Sequence, residues 1–67
     1  MPGPIALKLR VLRERRGLTQ KEAAELADVS ELTLYRLETG EQTPYMPTVT
    51  KIARAYGVLL EELLEEE

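Results

Sequence analysis

The chain has 67 residues, with nine Lys and Arg against twelve Asp and Glu, and contains neither Cys nor His. That length allows one small core, because a chain of this size buries only about 60% of the surface its unfolded form exposes. The missing residue types exclude disulfides, zinc fingers, thiol nucleophiles and imidazole bases together, so stability has to come from helix packing, aided by dimerisation.

Residues 1–4 read as a frayed start, although Pro4 suits a first helical turn. Ile5, Leu9 and Leu12 follow at i, i+4, i+7 spacing and predict a first helix over 5–16, stopped by Gly17. Thr19-Gln-Lys-Glu22 is a capping box, in which the Thr hydroxyl accepts from a free backbone N–H and Glu22 reaches back to the cap. The second helix begins there and has room for about eight residues, because Ala27-Asp28-Val29-Ser30 interrupts the pattern. Ser30 is a second N-cap, opening a third helix over 30–39 that ends at Gly40. Residues 41–45 form a loop. Pro47 fits the first turn of a fourth helix, whose Val49, Ile52, Ala53 and Tyr56 share one face before Gly57. From about Leu59 a last helix groups Leu60, Leu63 and Leu64 before the acidic end at 65–67. No stretch alternates with period two, so the fold class is all-α: a single five-helix domain spanning 1–67.

Charge is distributed unevenly. Five of the acids are Glu61, Glu62, Glu65, Glu66 and Glu67, so the first 60 residues carry nine bases against seven acids. Lys8, Arg10, Arg13, Arg15, Arg16 and Lys21 oppose only Glu14 in the first 21 residues, a bias that suits either a phosphate-facing surface or a plain solvated one. The longest apolar run is Val58-Leu59-Leu60, far below the roughly 20 residues of a membrane span, and no signal peptide is visible. With no cysteine to oxidise, a cytoplasmic location is the expectation. No cofactor or metal site is predicted, and without His, Cys or a glycine-rich phosphate loop an enzyme is the poorest reading.

Two short helices joined by a tight turn, the second opened by a Ser cap, have the form of a helix-turn-helix. The run 18–30 (LTQKEAAELADVS), followed by Leu34, Arg36-Leu-Glu38, Gly40, Pro44, Lys51-Ile-Ala53, Tyr56-Gly-Val58 and Glu62-Leu-Leu64, resembles the phage-repressor-like, or XRE (Cro/cI-type), family in register and without a gap. The resemblance implies a lambda-repressor-like domain whose second and third helices form the helix-turn-helix. It further implies a regulator that binds double-stranded DNA, with the third helix in the major groove of a palindromic operator and a homodimer matching that symmetry.

Carried over by position, the resemblance places Ser30, Glu31, Leu32, Thr33 and Arg36 at base edges. It places Thr19, Gln20, Lys21, Tyr35, Thr39, Gln42 and Thr43 at the DNA backbone, with Gln20 also placed to brace a side chain of the third helix. Arg36 is the main specificity candidate, because a guanidinium can bind guanine O6 and N7 together. Arg13 and Glu38 match positions that pair in a salt bridge in the family; two independent surface charges are the alternative. Tyr45, Met46, Val58, Leu59 and Leu63 are candidates for the dimer interface, with completion of the monomer core the alternative for Val58 and Leu63. Leu7 and Val11 form a second apolar stripe on the first helix, read as scattered exposed residues or as a partner surface.

Several positions depart from the family pattern. Asp28 stands where Gly is usual, Ala23 and Ala27 where larger apolar residues are common, Leu26 where a polar residue is usual, and Leu59 where Ser or Thr caps. A slightly rotated or differently packed second helix is the expectation from Ala23, Ala27 and Leu26. Glu31 repels phosphates unless it accepts from cytosine N4, and Leu32 offers only apolar contact, as to a thymine methyl. Together with the acidic tail they support a second reading, a protein-binding module such as an antitoxin or coactivator-like adaptor.

Overall fold

Five helices account for most of residues 3–64, the part of the chain that the computed structural model describes. They are α1 (Pro4–Arg15), α2 (Gln20–Ala27), α3 (Glu31–Thr39), α4 (Met46–Tyr56) and α5 (Leu60–Leu64), with no strand among the described residues. The acidic end expected at 65–67 lies outside them, as do residues 1 and 2.

Local chemistry sets each boundary. Pro4 is the first residue of α1, where its missing N–H costs nothing, and the Gly3 carbonyl accepts from the Leu7 N–H at 3.2 Å. The frayed start is therefore corrected at Gly3 and Pro4, which cap and open the helix. Gly17, at φ +66°, turns the chain so that the Leu18 N–H returns to the Arg13 carbonyl. At the head of α2, Thr19 Oγ1 accepts from the Glu22 N–H at 3.1 Å and Glu22 Oε1 accepts from the Thr19 N–H at 2.9 Å. Those bonds, the backbone one first, hold the Glu22 carboxyl below the usual carboxylate range.

Asp28 occupies the left-handed region at φ 57°, the geometry that the usual glycine would take at this turn. The turn survives the substitution, with the Val29 N–H bonded to the Ala24 carbonyl at 3.0 Å. Ser30 Oγ then accepts from the Thr33 N–H at 3.0 Å and starts α3.

Leu9, Leu34, Leu37, Val49, Ile52, Tyr56 and Leu63 are fully buried in one core, joined by Ala23, Ala24, Ala27 and Ala53. Leu12, Leu18, Val29, Val58 and Leu60 pack around it. The three alanines of α2 let its backbone approach α3 and α4, on both of which it packs. Of the residues that depart from the family pattern in this helix, Ala23 and Ala27 lie in the core and Leu26 lies outside it at 62% exposure. In α4 the four residues predicted to share a face are the four that are buried. The last helix carries the predicted Leu60, Leu63 and Leu64, burying Leu63 but leaving Leu64 on the surface.

Candidate nucleic-acid interface

An α-helix leaves its first four backbone N–H groups without intrahelical partners. In α2 the Thr19 side chain takes that of Glu22, and the next N–H, of Ala23, bonds the Thr19 carbonyl at 2.9 Å. The N–H groups of Gln20 and Lys21 thus sit at a helix start whose dipole favours anions. Lys21 is exposed beside them, and Gln20 is half-buried.

The outer side of α3 carries Glu31, Leu32, Tyr35, Arg36 and Thr39, all exposed, while Leu34, Leu37 and Glu38 face inward. This division follows from the 3.6-residue period alone. Several of these polar groups already have partners. Ser30 Oγ, besides capping, donates to Thr33 Oγ1 at 2.7 Å, so both hydroxyls are committed to the start of the helix. The one hydroxyl hydrogen of Thr39 has two acceptors in reach, the Arg36 carbonyl at 3.2 Å and Glu41 Oε2 at 3.0 Å, so the expected phosphate donor already has partners within the protein. Gln42 is half-buried and Thr43 exposed in the loop after α3.

Behind this surface lies a buried ion pair. Glu38 Oε2 accepts from Arg13 Nε at 2.8 Å, and its Oε1 accepts from Arg13 Nη2 at 3.1 Å and from Gln20 Nε2 at 3.2 Å. The two side chains are 12% and 3% exposed, so the pair is sheltered on the α1–α3 contact. The Glu38 hydrogen bond is the main reason that the Arg13 guanidinium holds its proton even more firmly than usual. Arg13 Nη1 also donates to the Leu18 carbonyl at 2.7 Å, a bond that no sequence pattern signalled. Next to the pair, the Tyr56 hydroxyl is buried without a hydrogen-bond partner. Burial, then the Glu38 charge, pushes it up to about 12.

The basic stretch read from the sequence does not form one patch. Arg13 points inward, and Arg10 pairs with Glu14 at 3.4 Å. Arg16 donates to the Leu12 carbonyl and lies over the Tyr56 ring at 5.8 Å, while Lys8 reaches the Glu62 carbonyl at 3.3 Å. Among the residues expected at DNA, the cations are Lys21 and Arg36, set against the carboxylate of Glu31.

A helix-turn-helix domain model matches residues 5–66, nearly the whole chain. The chain belongs to the helix-turn-helix family. Its relatives and fold place it with the phage-repressor-like, or XRE, type. It is 41% identical over 59 residues to the cryptic phage CTXphi transcriptional repressor RstR of Vibrio cholerae, covering 88% of this chain and 53% of that protein. It is 40% identical over 58 residues to the HTH-type transcriptional regulator DdrOP3 of Deinococcus deserti, covering 87% and 45%. The chain thus spans about half the length of these relatives, which are transcriptional regulators rather than enzymes. Among solved structures, the N-terminal DNA binding domain of SinR from Bacillus subtilis superposes with a TM-score of 0.88 at 26% identity, covering 94% of this chain and 93% of that one.

In this helix-turn-helix domain the dimer candidates separate into two groups. Tyr45, Met46 and Leu59 are exposed, at 66%, 41% and 62%. Val58 is half-buried against the core, and Leu63 is fully buried there. Leu63 therefore offers nothing to a second copy, and its assignment to the interface is corrected: a five-residue helix can bury one side of one turn, and Leu63 is that side. Among the described residues no helix is long and apolar enough to cross a membrane, and no cluster of acidic side chains is arranged to hold a metal ion.

Proposed function

We propose that this domain regulates transcription by binding a two-fold symmetric DNA operator as a homodimer, with the outer side of α3 in the major groove. The observation that carries the reading is the division of α3. Its inner side is locked to α1 and α2, while Glu31, Leu32, Tyr35 and Arg36 stand free of the core on a helix held rigidly enough to read a groove. The relatives, a transcriptional repressor and a transcriptional regulator, and the structural neighbour, a DNA-binding domain, support it.

Arg36 is assigned to a guanine, Leu32 to a thymine methyl and Glu31 to a cytosine amino group. Lys21 and the start of α2 are assigned to phosphates. The exposed Tyr45, Met46 and Leu59 are assigned to the dimer contact. Phosphates neutralised by the protein release counterions, so affinity for the operator falls steeply as salt rises, and salt-independent binding contradicts the reading.

Selection of bound duplexes from a random library tests the reading. Enrichment of a palindrome with half-site centres about 10 base pairs apart is the expected result. Failure to enrich any duplex contradicts the proposal and favours the protein-binding alternative, for which the exposed Leu32 and Tyr35 beside Glu31 would supply the contact.

A further inference from the structure

Glu38 makes more bonds than a simple ion pair requires. Its Oε1 accepts from two donors, Arg13 Nη2 and Gln20 Nε2, which come from different helices. We propose that Glu38 is a positioning residue for phosphate capture, holding the Gln20 amide with one N–H turned inward and the other left for the DNA backbone. This rests on the DNA-binding reading of α2 and α3 given above.

The chemistry of the groups fixes the direction of the amide. A carboxylate only accepts hydrogen bonds, so Glu38 selects the nitrogen of Gln20 and rejects its oxygen. The opposite flip would press an amide oxygen against the carboxylate Oε1. A primary amide nitrogen carries two hydrogens, and Glu38 uses one. Gln20 is half-buried and is the first residue of α2, so its second N–H belongs to the same helix start as the backbone N–H groups of Gln20 and Lys21.

Arg13 extends the arrangement. Its Nη1 holds the Leu18 carbonyl at 2.7 Å, immediately before the Thr19 cap, while its Nε and Nη2 grip Glu38. The chain entering α2 and the first side chain of α2 are therefore both referenced to one carboxylate on α3. Ordering Gln20 before DNA arrives removes rotamer freedom that would otherwise be lost on binding. It also ties the phosphate contact to the position of the reading helix, since Glu38 sits on the inner side of α3.

Phosphate contacts carry no sequence information, so a random-sequence duplex about two helical turns long serves as the probe. At low salt, Gln20→Ala is expected to weaken binding about tenfold, the size of one hydrogen bond to a charged group. Glu38→Gln is expected to weaken it several-fold with Gln20 present and by no further factor in the Gln20→Ala background. An equal loss in both backgrounds would mean that Glu38 acts through the fold as a whole, and would overturn the proposal.

If Glu38→Gln does not fold, the wild-type protein gives the answer by NMR. One Gln20 amide proton should be shifted and protected in the free protein, with the duplex moving mainly the other. Two Gln20 amide protons at the ordinary positions of a solvated glutamine, both exchanging freely and both moved alike by the duplex, would overturn it. Absence of any duplex binding by wild type defeats the DNA-binding reading instead, and is told apart because the unusual shift and the protection of one Gln20 amide proton in the free protein would remain.

Discussion

The inner side of α3 holds Leu34, Leu37 and Glu38 almost without solvent contact, whereas the outer side leaves Glu31, Leu32, Tyr35, Arg36 and Thr39 exposed. Inside, each residue is specified by its neighbours: leucines fill a core, and the one carboxylate has three donors aimed at it. Outside, the fold places little demand on residue identity, and Glu31 and Leu32 occur where a more basic or polar tip would serve phosphates better. The contrast separates two jobs on one nine-residue helix. The inner side sets where the helix lies, and the outer side is free to set what it binds.

Substitutions on the two sides should therefore differ most in stability. Glu38→Ala leaves the sheltered Arg13 guanidinium without its counter-charge, and the loss should be about 3–5 kcal/mol, enough to unfold much of the population of so small a domain. Thermal melting reads this directly, at about 4–8 °C per kcal/mol. Arg36→Ala, on the outer side, should stay within about 0.5 kcal/mol of wild type. Equal melting points for the two variants would erase the comparison.

A smaller effect of opposite sign comes from Tyr56, whose hydroxyl lies buried and unsatisfied near the Glu38 carboxylate. Tyr56→Phe should raise stability by about 1 kcal/mol, because it removes a buried polar group that has no hydrogen-bond partner among the described residues. The pH dependence follows from the same group. Its ionisation is pushed up to about 12 in the folded state, against about 10 in an unfolded chain. The unfolded state releases this proton first, so the stability present below about pH 10 falls as pH rises toward 12. Wild type should lose more stability than Tyr56→Phe across that interval in denaturant titrations, and parallel curves would show that the hydroxyl is solvated.

The smallest change belongs to the outer side. Glu31 sits in the first turn of α3, where a negative charge favours the helix by about 0.3–1 kcal/mol. Glu31→Gln should give up that amount or less while binding a random duplex a few-fold more tightly, since it removes a carboxylate from the phosphate-facing tip. Tighter random binding with unchanged or weaker operator binding would sharpen the division between affinity and readout. Unchanged binding to both would place Glu31 away from DNA.

Much of this architecture was legible because helix ends are written locally. Thr19 with Glu22, and Ser30 with Thr33, lie three residues apart, and both caps form as their spacing implies. The inner residues of α3 and α4 were legible from period, and Asp28 from its tolerance of the left-handed region. Contacts between distant residues were harder to read. The family resemblance paired Arg13 with Glu38 and placed Gln20 to brace a side chain of the third helix without saying which one, and nothing in the chain indicated that the Leu18 carbonyl would join them, since these bonds depend on how three elements meet.

The basic run 8–21 misled for a geometric reason. Residues 8, 10, 13 and 16 project from α1 and its end at different angles, so charges adjacent in sequence separate to α5, to Glu14, to Glu38 and to the Tyr56 ring. For Leu63 the sequence left interface and core both open, and the structure places it in the core, because a single turn of helix has too few residues to show in advance which leucine faces in. The outer side of α3 was identified by elimination, and its residue types suggest particular bases without settling the order in which a half-site presents them.

The most direct test of the division is selection of DNA by wild type and by Arg36→Ala from the same random library, with thermal melts of both proteins alongside. The account predicts indistinguishable melts and loss of a guanine preference at one symmetric position of each half-site, a discrimination of about 1–3 kcal/mol. An unchanged selected sequence in the variant, or a melting point that falls with the preference, would contradict it.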